Sequence, residues 1–135
     1  MTPMIFVNLP ITDIARTRAF YTALGFTINE QFSDADSACV VISETIYLMV
    51  LNHAKYSQFT NLPIEDAAKS SSKLLALSLA DRDAVDQMMT AVLANGGSET
   101  REPMDLGFMY NRAFADPDGH VWEPFWMDPA QVSGN

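Results

Sequence analysis

Cysteine is almost absent from this sequence of 135 residues. Cys39 is the single cysteine, which excludes an internal disulfide and any zinc or redox site built from paired cysteines. Its sequence neighbours are apolar and none is a basic residue that would lower the pKa of the thiol. We therefore expect a buried, inert thiol rather than a nucleophile. This cysteine usage favours a cytoplasmic location.

Basic residues are also scarce. Lys and Arg number 8 against 17 Asp and Glu, which gives a formal net charge of −9. A surface of this sign repels a phosphate backbone and anionic lipid headgroups. We therefore expect neither nucleic acid nor an anionic membrane as a partner.

Long apolar runs are missing as well. The longest, from Ile46 to Leu51, is far shorter than the roughly 20 residues of a membrane-spanning helix. The first ten residues hold no Lys or Arg and no long apolar stretch, so we expect no secretory signal. Apolar residues make up 48% of the chain, enough for the core of a single domain over 1–135.

What the sequence does contain is two similar halves. In the first, apolar residues alternate in a strand from Ile5 to Ile11, Asp13 is a candidate helix cap, and Gly25 ends the helix. The second half repeats this order with an alternating strand from Leu75 to Leu79, a cap at Asp81 or Asp83, and Gly96 as the helix end. Three short strands are predicted after each helix: 27–32, 38–43 and 45–51, then 99–104, 109–115 and 121–127.

The spacing between the halves is nearly constant. Leu9 corresponds to Leu77 and Gly25 to Gly96, at closely similar offsets. A duplicated β-α-β-β-β unit explains this better than two chance strand–helix starts. We predict an α+β fold with modules at about 4–52 and 73–128. A connector at about 53–72 joins them, with a helical turn around 64–68.

Two motifs carry a family resemblance. They are Phe20-Tyr21-x-x-Leu24-Gly25-Phe26 and Phe114-x-Asp116-Pro117-Asp118-Gly119-His120-x-Trp122-Glu123, the second around a tight turn. With the doubled order, they resemble the vicinal-oxygen-chelate superfamily of glyoxalase I, bleomycin-resistance proteins and extradiol dioxygenases. The resemblance covers almost the whole chain. It implies two tandem βαβββ modules that form a cupped mixed sheet around a pocket, and commonly a homodimer.

The resemblance also implies four metal-ligand positions. They fall here on Phe6, on Leu48 or Met49, on Leu74 and on Glu123. Of these side chains only the Glu123 carboxylate can bind a metal, so we expect no metal cofactor, with a divalent metal as the alternative. His120 and Glu123 point to opposite sides of a strand and should not share an ion. We expect His53 and His120 to be surface or rim residues.

Glu123 is the candidate catalytic residue. A carboxylate facing an apolar cup is poorly solvated and could act as a general base or anchor a cation. In the alternative, it is half exposed or paired with Arg112. Arg112 could instead bind a substrate carboxylate if Tyr110 and Arg112 face the pocket, but becomes a surface charge if Met109 and Asn111 do. The sequence leaves both alternatives open.

The predicted site is an apolar pocket with a few polar groups, typical of a small-molecule site. The chief hypothesis is a metal-free protein that binds a small organic ligand. One alternative is a glyoxalase-like lyase or dioxygenase-like enzyme with Glu123 in a non-standard metal site. Another is metal-free acid–base catalysis by Glu123. The predicted ligand contacts are Phe6, Asn8, Met49, Phe59, Leu74, Tyr110, Arg112 and Phe125.

Overall fold

The computed structural model describes residues 1–132 of the chain. They form two compact units, unit 1 from Met1 to Asp66 and unit 2 from Ala67 onward. The boundary between the units lies inside the predicted connector 53–72. No helix of the described residues is both long enough and apolar enough to cross a bilayer.

Unit 1 contains four strands and two helices. The helix α1 follows the first strand, and the short helix α2 follows the last. The elements are β1 (Ile5–Ile11), α1 (Ile14–Ala23), β2 (Thr27–Asn29), a 3-10 turn (Glu30–Phe32), β3 (Ser37–Val41), β4 (Ile46–Asn52) and α2 (His53–Tyr56).

Unit 2 repeats the same succession of strands around one long helix. A last short helix follows its final strand. The elements are β5 (Leu75–Ser78), α3 (Arg82–Ala94), β6 (Ser98–Asp105), β7 (Met109–Ala115), β8 (Val121–Met127) and α4 (Pro129–Val132).

The two sheets share one topology. The strand order is β1-β4-β3-β2 in unit 1 and β5-β8-β7-β6 in unit 2. In each sheet the first strand runs parallel to the last, and the other neighbours are antiparallel. A helix connects the first strand to the second in both units. The predicted duplication and the α+β class are therefore confirmed.

The helix ends follow the capping residues. The Asp13 side chain accepts a hydrogen bond from the Arg16 amide at 3.0 Å, and Asp81 accepts from the Ala84 amide at 2.8 Å. Each carboxylate satisfies an amide that has no partner inside the helix. The structure thus selects Asp81 over Asp83 as the second cap.

Each long helix packs on one face of its own sheet. Helix α1 contacts β3 and β4, and α3 contacts β7 and β8. The apolar side chains beneath them form the core, which leaves the opposite face of each sheet for other contacts. Core residues include Leu9, Ile11, Phe20, Tyr21, Leu48 and Val50 in unit 1, and Val85, Met89, Val92, Phe114 and Trp122 in unit 2.

Two local predictions were wrong. The strand predicted over 27–32 ends at Asn29, whose side chain accepts from the Gln31 amide at 3.1 Å and starts the 3-10 turn. The helical turn predicted around 64–68 is not helical. The helix in this part of the chain is α2, because the Asn52 side chain accepts from the Lys55 amide at 2.9 Å and caps it.

Candidate functional site

The position of α3 identifies the two faces of the unit 2 sheet. The Arg82 guanidinium, on α3, lies 5.2 Å from the ring centroids of both Tyr110 and Trp126. These two residues are register partners, so the face they share is the one that α3 covers. Side chains alternate along a strand, which places Asn111 and Phe125 on the opposite face.

We call that opposite face the far face of unit 2. Its members are register partners of one another or are joined by hydrogen bonds. None of their side chains lies on the face that α3 covers. They are Ala76, Ser78, Arg101, Asn111, Glu123 and Phe125.

A hydrogen-bonded cluster of three side chains lies on this far face. The Nη2 atom of Arg101 donates to Oδ1 of Asn111 at 2.6 Å and to Oε2 of Glu123 at 2.9 Å. The Arg101 Nη1 atom donates to the carbonyl of Glu102 at 3.2 Å. Asn111 is only 7% exposed, while the Arg101 and Glu123 side chains keep 32% and 25% exposure. Charge-assisted bonds of this kind hold both acceptors in fixed positions.

An irregular strand brings Arg101 into the cluster. The register between β6 and β7 shifts on both sides of Arg101, between Glu99 and Arg101 and again between Arg101 and Met104. Such a bulge turns a side chain away from the regular alternation. The Arg101 guanidinium can therefore reach across β7 to Glu123 on β8. Sequence reasoning missed Arg101 because no residue pattern marks the bulge.

Glu123 is paired, but with a different arginine than the sequence suggested. Its partner is Arg101, and Arg112 is on the α3 side of the sheet. There Arg112 donates to both carboxylate oxygens of Glu99 at 2.9 Å and to Asp86 at 3.0 Å. Of the two alternatives for β7, the structure thus has Asn111 rather than Arg112 on the same face as Glu123.

The α3-side network also includes Tyr110, whose hydroxyl donates to Asp86 at 2.6 Å. This bond, followed by those from Arg112, holds the pKa of Asp86 below its usual range. The Arg112 hydrogen bonds likewise lower the pKa of Glu99. Tyr110 and Arg112, which the sequence predicts as ligand contacts, thus belong to an ion-pair network on the α3 side, where their polar atoms form hydrogen bonds with α3 and β6.

Unit 1 has its own far face, opposite α1, which is largely apolar. We define it by Phe6, Asn8, Tyr47 and Met49, which are register partners in pairs. The rings of Phe6 and Tyr47 stack at 4.5 Å between centroids and 9° between planes. Leu48 is fully buried in the core, so Met49 is the β4 residue on the far face. Asn8 is the polar member, and its amide donates to the Phe6 carbonyl at 3.2 Å.

The other predicted ligand contacts are distributed more widely. Phe125 is the register partner of Asn111 and Ser78, beside the Arg101 cluster. Leu74 directly precedes β5 and is 58% exposed. Phe59 is 72% exposed and follows α2, outside both sheets.

The side chains at the implied metal-ligand positions do not suit a divalent cation. Phe6, Met49 and Leu74 offer no oxygen or nitrogen, and the Glu123 carboxylate is already bound to Arg101. Across residues 1–132, no three His, Cys, Asp or Glu side chains group as a metal site would require. The prediction of a surface or rim position was wrong for His120, which is buried with Nδ1 2.9 Å from Lys73 Nζ, whereas His53 is exposed on α2.

Comparison with known proteins gives matches by sequence family and by fold. A family model described as bleomycin resistance protein-like N-terminal matches residues 4–43. A hypothetical protein from S. aureus superposes with a TM-score of 0.79 at 23% identity, covering 93% of this chain and 95% of that chain. No curated protein matches the sequence.

Two further structures bear family descriptions. A glyoxalase/bleomycin resistance protein/dioxygenase family enzyme from Burkholderia phytofirmans has a TM-score of 0.76 at 20% identity, covering 93% of this chain and 99% of its own. A bleomycin resistance determinant encoded on the transposon Tn5 has a TM-score of 0.65 at 25% identity, covering 94% and 99%.

Proposed function

The chain is a member of the vicinal-oxygen-chelate superfamily, and from this premise we propose that it is a metal-free protein that binds a small organic molecule. The superfamily places isomerases, dioxygenases and binding proteins on one fold, so the fold does not select among them. The choice depends on the side chains of the far faces.

The observation that carries the proposal is the state of Glu123. It is the one carboxylate at the four implied ligand positions, and Arg101 neutralises it at 2.9 Å. A cation bound there would have to displace the guanidinium, and Leu74, at the other implied position in unit 2, offers it no donor atom. The site is therefore better suited to an uncharged organic group than to a metal.

Each far face, taken by itself, offers contacts that such a ligand needs. Phe6, stacked on Tyr47, is 45% exposed and can pack against a planar apolar group. Asn111 and Glu123 in unit 2 supply polar groups in fixed positions. Apolar walls with a few oriented polar groups are typical of small-molecule sites. Asn8 and Met49 complete the proposed contacts on unit 1, and Phe125 completes those on unit 2.

Two measurements test this function. Elemental analysis of freshly purified protein that has never met a chelator should find no stoichiometric divalent metal. Nickel, zinc, manganese and iron should leave the unfolding temperature unchanged. A panel of neutral aromatic compounds, screened by thermal shift, should include stabilising ligands, because binding to the folded state raises its stability. A bound stoichiometric metal, or no stabilising compound in a diverse panel, would overturn the proposal.

The lyase alternative has a direct assay. Formation of lactoylglutathione from methylglyoxal and glutathione, measured with added nickel or zinc, should show no turnover. Turnover that disappears in Glu123→Gln would instead assign Glu123 a metal-dependent catalytic role. The carboxamide keeps the shape of the side chain and removes its charge, so this variant isolates the chemistry from the packing.

We also propose that the chain assembles as a homodimer in the cytoplasm. Several large apolar side chains are exposed on the described residues, among them Ile5, Leu74, Leu106 and Phe108. Burial of such residues against a second copy removes apolar surface from water. Analytical ultracentrifugation should give twice the 14.9 kDa mass of the chain, and a monomer at micromolar concentration would overturn the proposal.

A further inference from the structure

The Arg101 cluster has hydrogen-bonding capacity that the protein itself does not use. Arginine only donates, so the Asn111 atom that it contacts must be the carbonyl oxygen, and the Asn111 amide group points elsewhere. Within residues 1–132, that amide nitrogen has no protein acceptor, and it is not fully buried. The Oε1 atom of Glu123 likewise has no protein donor in this part of the chain.

The two side chains that carry these unused groups share a hydrogen-bond donor. Oδ1 of Asn111 and Oε2 of Glu123 both accept from the same Arg101 nitrogen, at 2.6 Å and 2.9 Å. The free amide donor and the free carboxylate acceptor are therefore carried by two side chains that one guanidinium nitrogen holds on the far face of unit 2. One donor beside one acceptor is the complement of a ligand edge that has one acceptor beside one donor.

The charge of the cluster further restricts the class of ligand that can bind. Arg101 and Glu123 form an ion pair, so the cluster is neutral as it stands. A ligand carboxylate would meet the free Glu123 oxygen, and a ligand cation would meet the guanidinium. Either charge would be repelled at short range in a half-buried site, where water screens poorly. A neutral ligand avoids both costs.

We propose that this cluster recognises the edge of a neutral amide or lactam. In this arrangement, the N–H group of the ligand donates to Oε1 of Glu123, and its carbonyl accepts from the Asn111 amide. The register neighbours are a small residue, Ala76, opposite Glu123 and an aromatic one, Phe125, opposite Asn111. This inference rests on the proposed small-molecule function and names its ligand class.

Three bicyclic probes test the inference on the unaltered protein. They are 2-quinolinone, which has the N–H and carbonyl edge, N-methyl-2-quinolinone, which lacks the donor, and quinoline-2-carboxylate, which is anionic. We expect 2-quinolinone to bind about tenfold more tightly than the methylated probe, because a lost bond leaves the buried carboxylate oxygen without its donor. The anionic probe should bind most weakly. Dissociation constants from calorimetry or equilibrium dialysis give the comparison.

Variants locate the effect. Asn111→Asp keeps the oxygen that binds Arg101 and replaces the amide donor, and Glu123→Gln removes the charge of the acceptor. Each should weaken 2-quinolinone binding by about tenfold and change binding of the methylated probe much less. Glu102→Gln is the matched control, since it removes an exposed charge beside Arg101 and should leave all three affinities unchanged. Circular dichroism verifies that each variant is folded.

The outcomes separate this inference from the function beneath it. Equal affinity for the methylated and unmethylated probes, or tighter binding of the carboxylate, overturns the amide-edge assignment and leaves small-molecule binding intact. If no probe binds but the neutral panel stabilises the protein, the assignment also fails alone. If neither the probes nor the panel bind, both proposals fail.

Discussion

Arg101 and Arg112 lie on opposite faces of one sheet. They differ in whether their hydrogen-bond partners keep groups that the protein leaves unused. Arg112 lies between Glu99 and Asp86, which together accept three hydrogen bonds from it. Arg101 binds one carboxylate and one amide, and each of these partners keeps a hydrogen-bonding group for something else. The first arrangement stabilises the fold, whereas the second fixes polar groups in place for a ligand.

Replacing Arg112 with glutamine should destabilise the protein. The change leaves Glu99 and Asp86 without their cation in a half-buried setting, and we expect a loss of about 1–2 kcal/mol in the free energy of unfolding. Lys69→Gln is the control, because it removes the same charge from an exposed position. Urea unfolding monitored by circular dichroism measures both. Equal stability of the two variants would contradict the role assigned to Arg112.

The same variant predicts a pH dependence. Hydrogen bonds from Arg112 lower the pKa of Glu99, and hydrogen bonds from Tyr110 and then Arg112 lower the pKa of Asp86 in the folded protein. Their stabilisation is fully present above the unfolded pKa values of about 4. It is lost as the pH falls through the lower folded values. The stability difference between the wild type and Arg112→Gln should therefore shrink below about pH 4. If the difference in unfolding free energy between the two proteins grew on acidification, the prediction would be wrong.

Cys39 should be a slow thiol. It is 1% exposed on β3, and burial raises the pKa of its thiol. Since the thiolate is the reactive form, Ellman's reagent should label the folded protein at least about tenfold more slowly than the urea-unfolded protein. Equal rates in the two states would show that β3 is open to solvent.

At the scale of the element, the turn between β7 and β8 depends on a close backbone approach. Gly119 has a φ of 94°, and a Cβ added there would lie 2.6 Å from the Ala68 amide nitrogen. Gly107, with a φ of 83°, has open space at the same position. Gly107→Ala should thus lower the free energy of unfolding by only about 1–2 kcal/mol, because alanine disfavours the left-handed backbone conformation. Gly119→Ala should lower it by at least about 1 kcal/mol more, because the backbone around Ala68 has to move to make room for the new methyl group.

Thermal unfolding of the two alanine variants checks this difference. Both substitutions add the same methyl group to a turn in unit 2, so their comparison isolates the contact with Ala68. An equal loss in the two variants would mean that the segment around Ala68 yields without cost.

The sequence predicts regular elements well where capping and alternation act locally. The strands at 109–115 and 121–127 and the caps at Asp13 and Asp81 follow from such signals. The bulge in β6 does not, because it arises from pairing with β7 rather than from the residues of β6 alone. For this reason Glu123 could be chosen as a site residue, whereas its partner Arg101 could not.

The placement of Tyr110 and Arg112 shows the same limit. Alternation states that neighbours on β7 face opposite ways, but it leaves open which set faces α3. That choice is made by Asp86 and Arg82, which come from a helix far away in the sequence.

At the scale of the whole molecule, the excess of acidic residues should control solubility. The formal charge is −9 at neutral pH and the isoelectric point is about 4.4. Repulsion between molecules vanishes near that pH, so turbidity should be greatest there. Lys69→Gln removes one positive charge and should move the maximum to lower pH. A maximum near neutral pH would contradict control by net charge.

The duplicated architecture carries an optical consequence. Both tryptophans, Trp122 and Trp126, lie on β8, so all indole emission of this chain originates in unit 2. The only thiol, Cys39, belongs to unit 1. Emission and thiol labelling, recorded along one urea gradient, therefore report on different units of an unmodified protein. Coincident midpoints would indicate that the two units unfold as one cooperative body, and separate midpoints would give each unit its own free energy of unfolding.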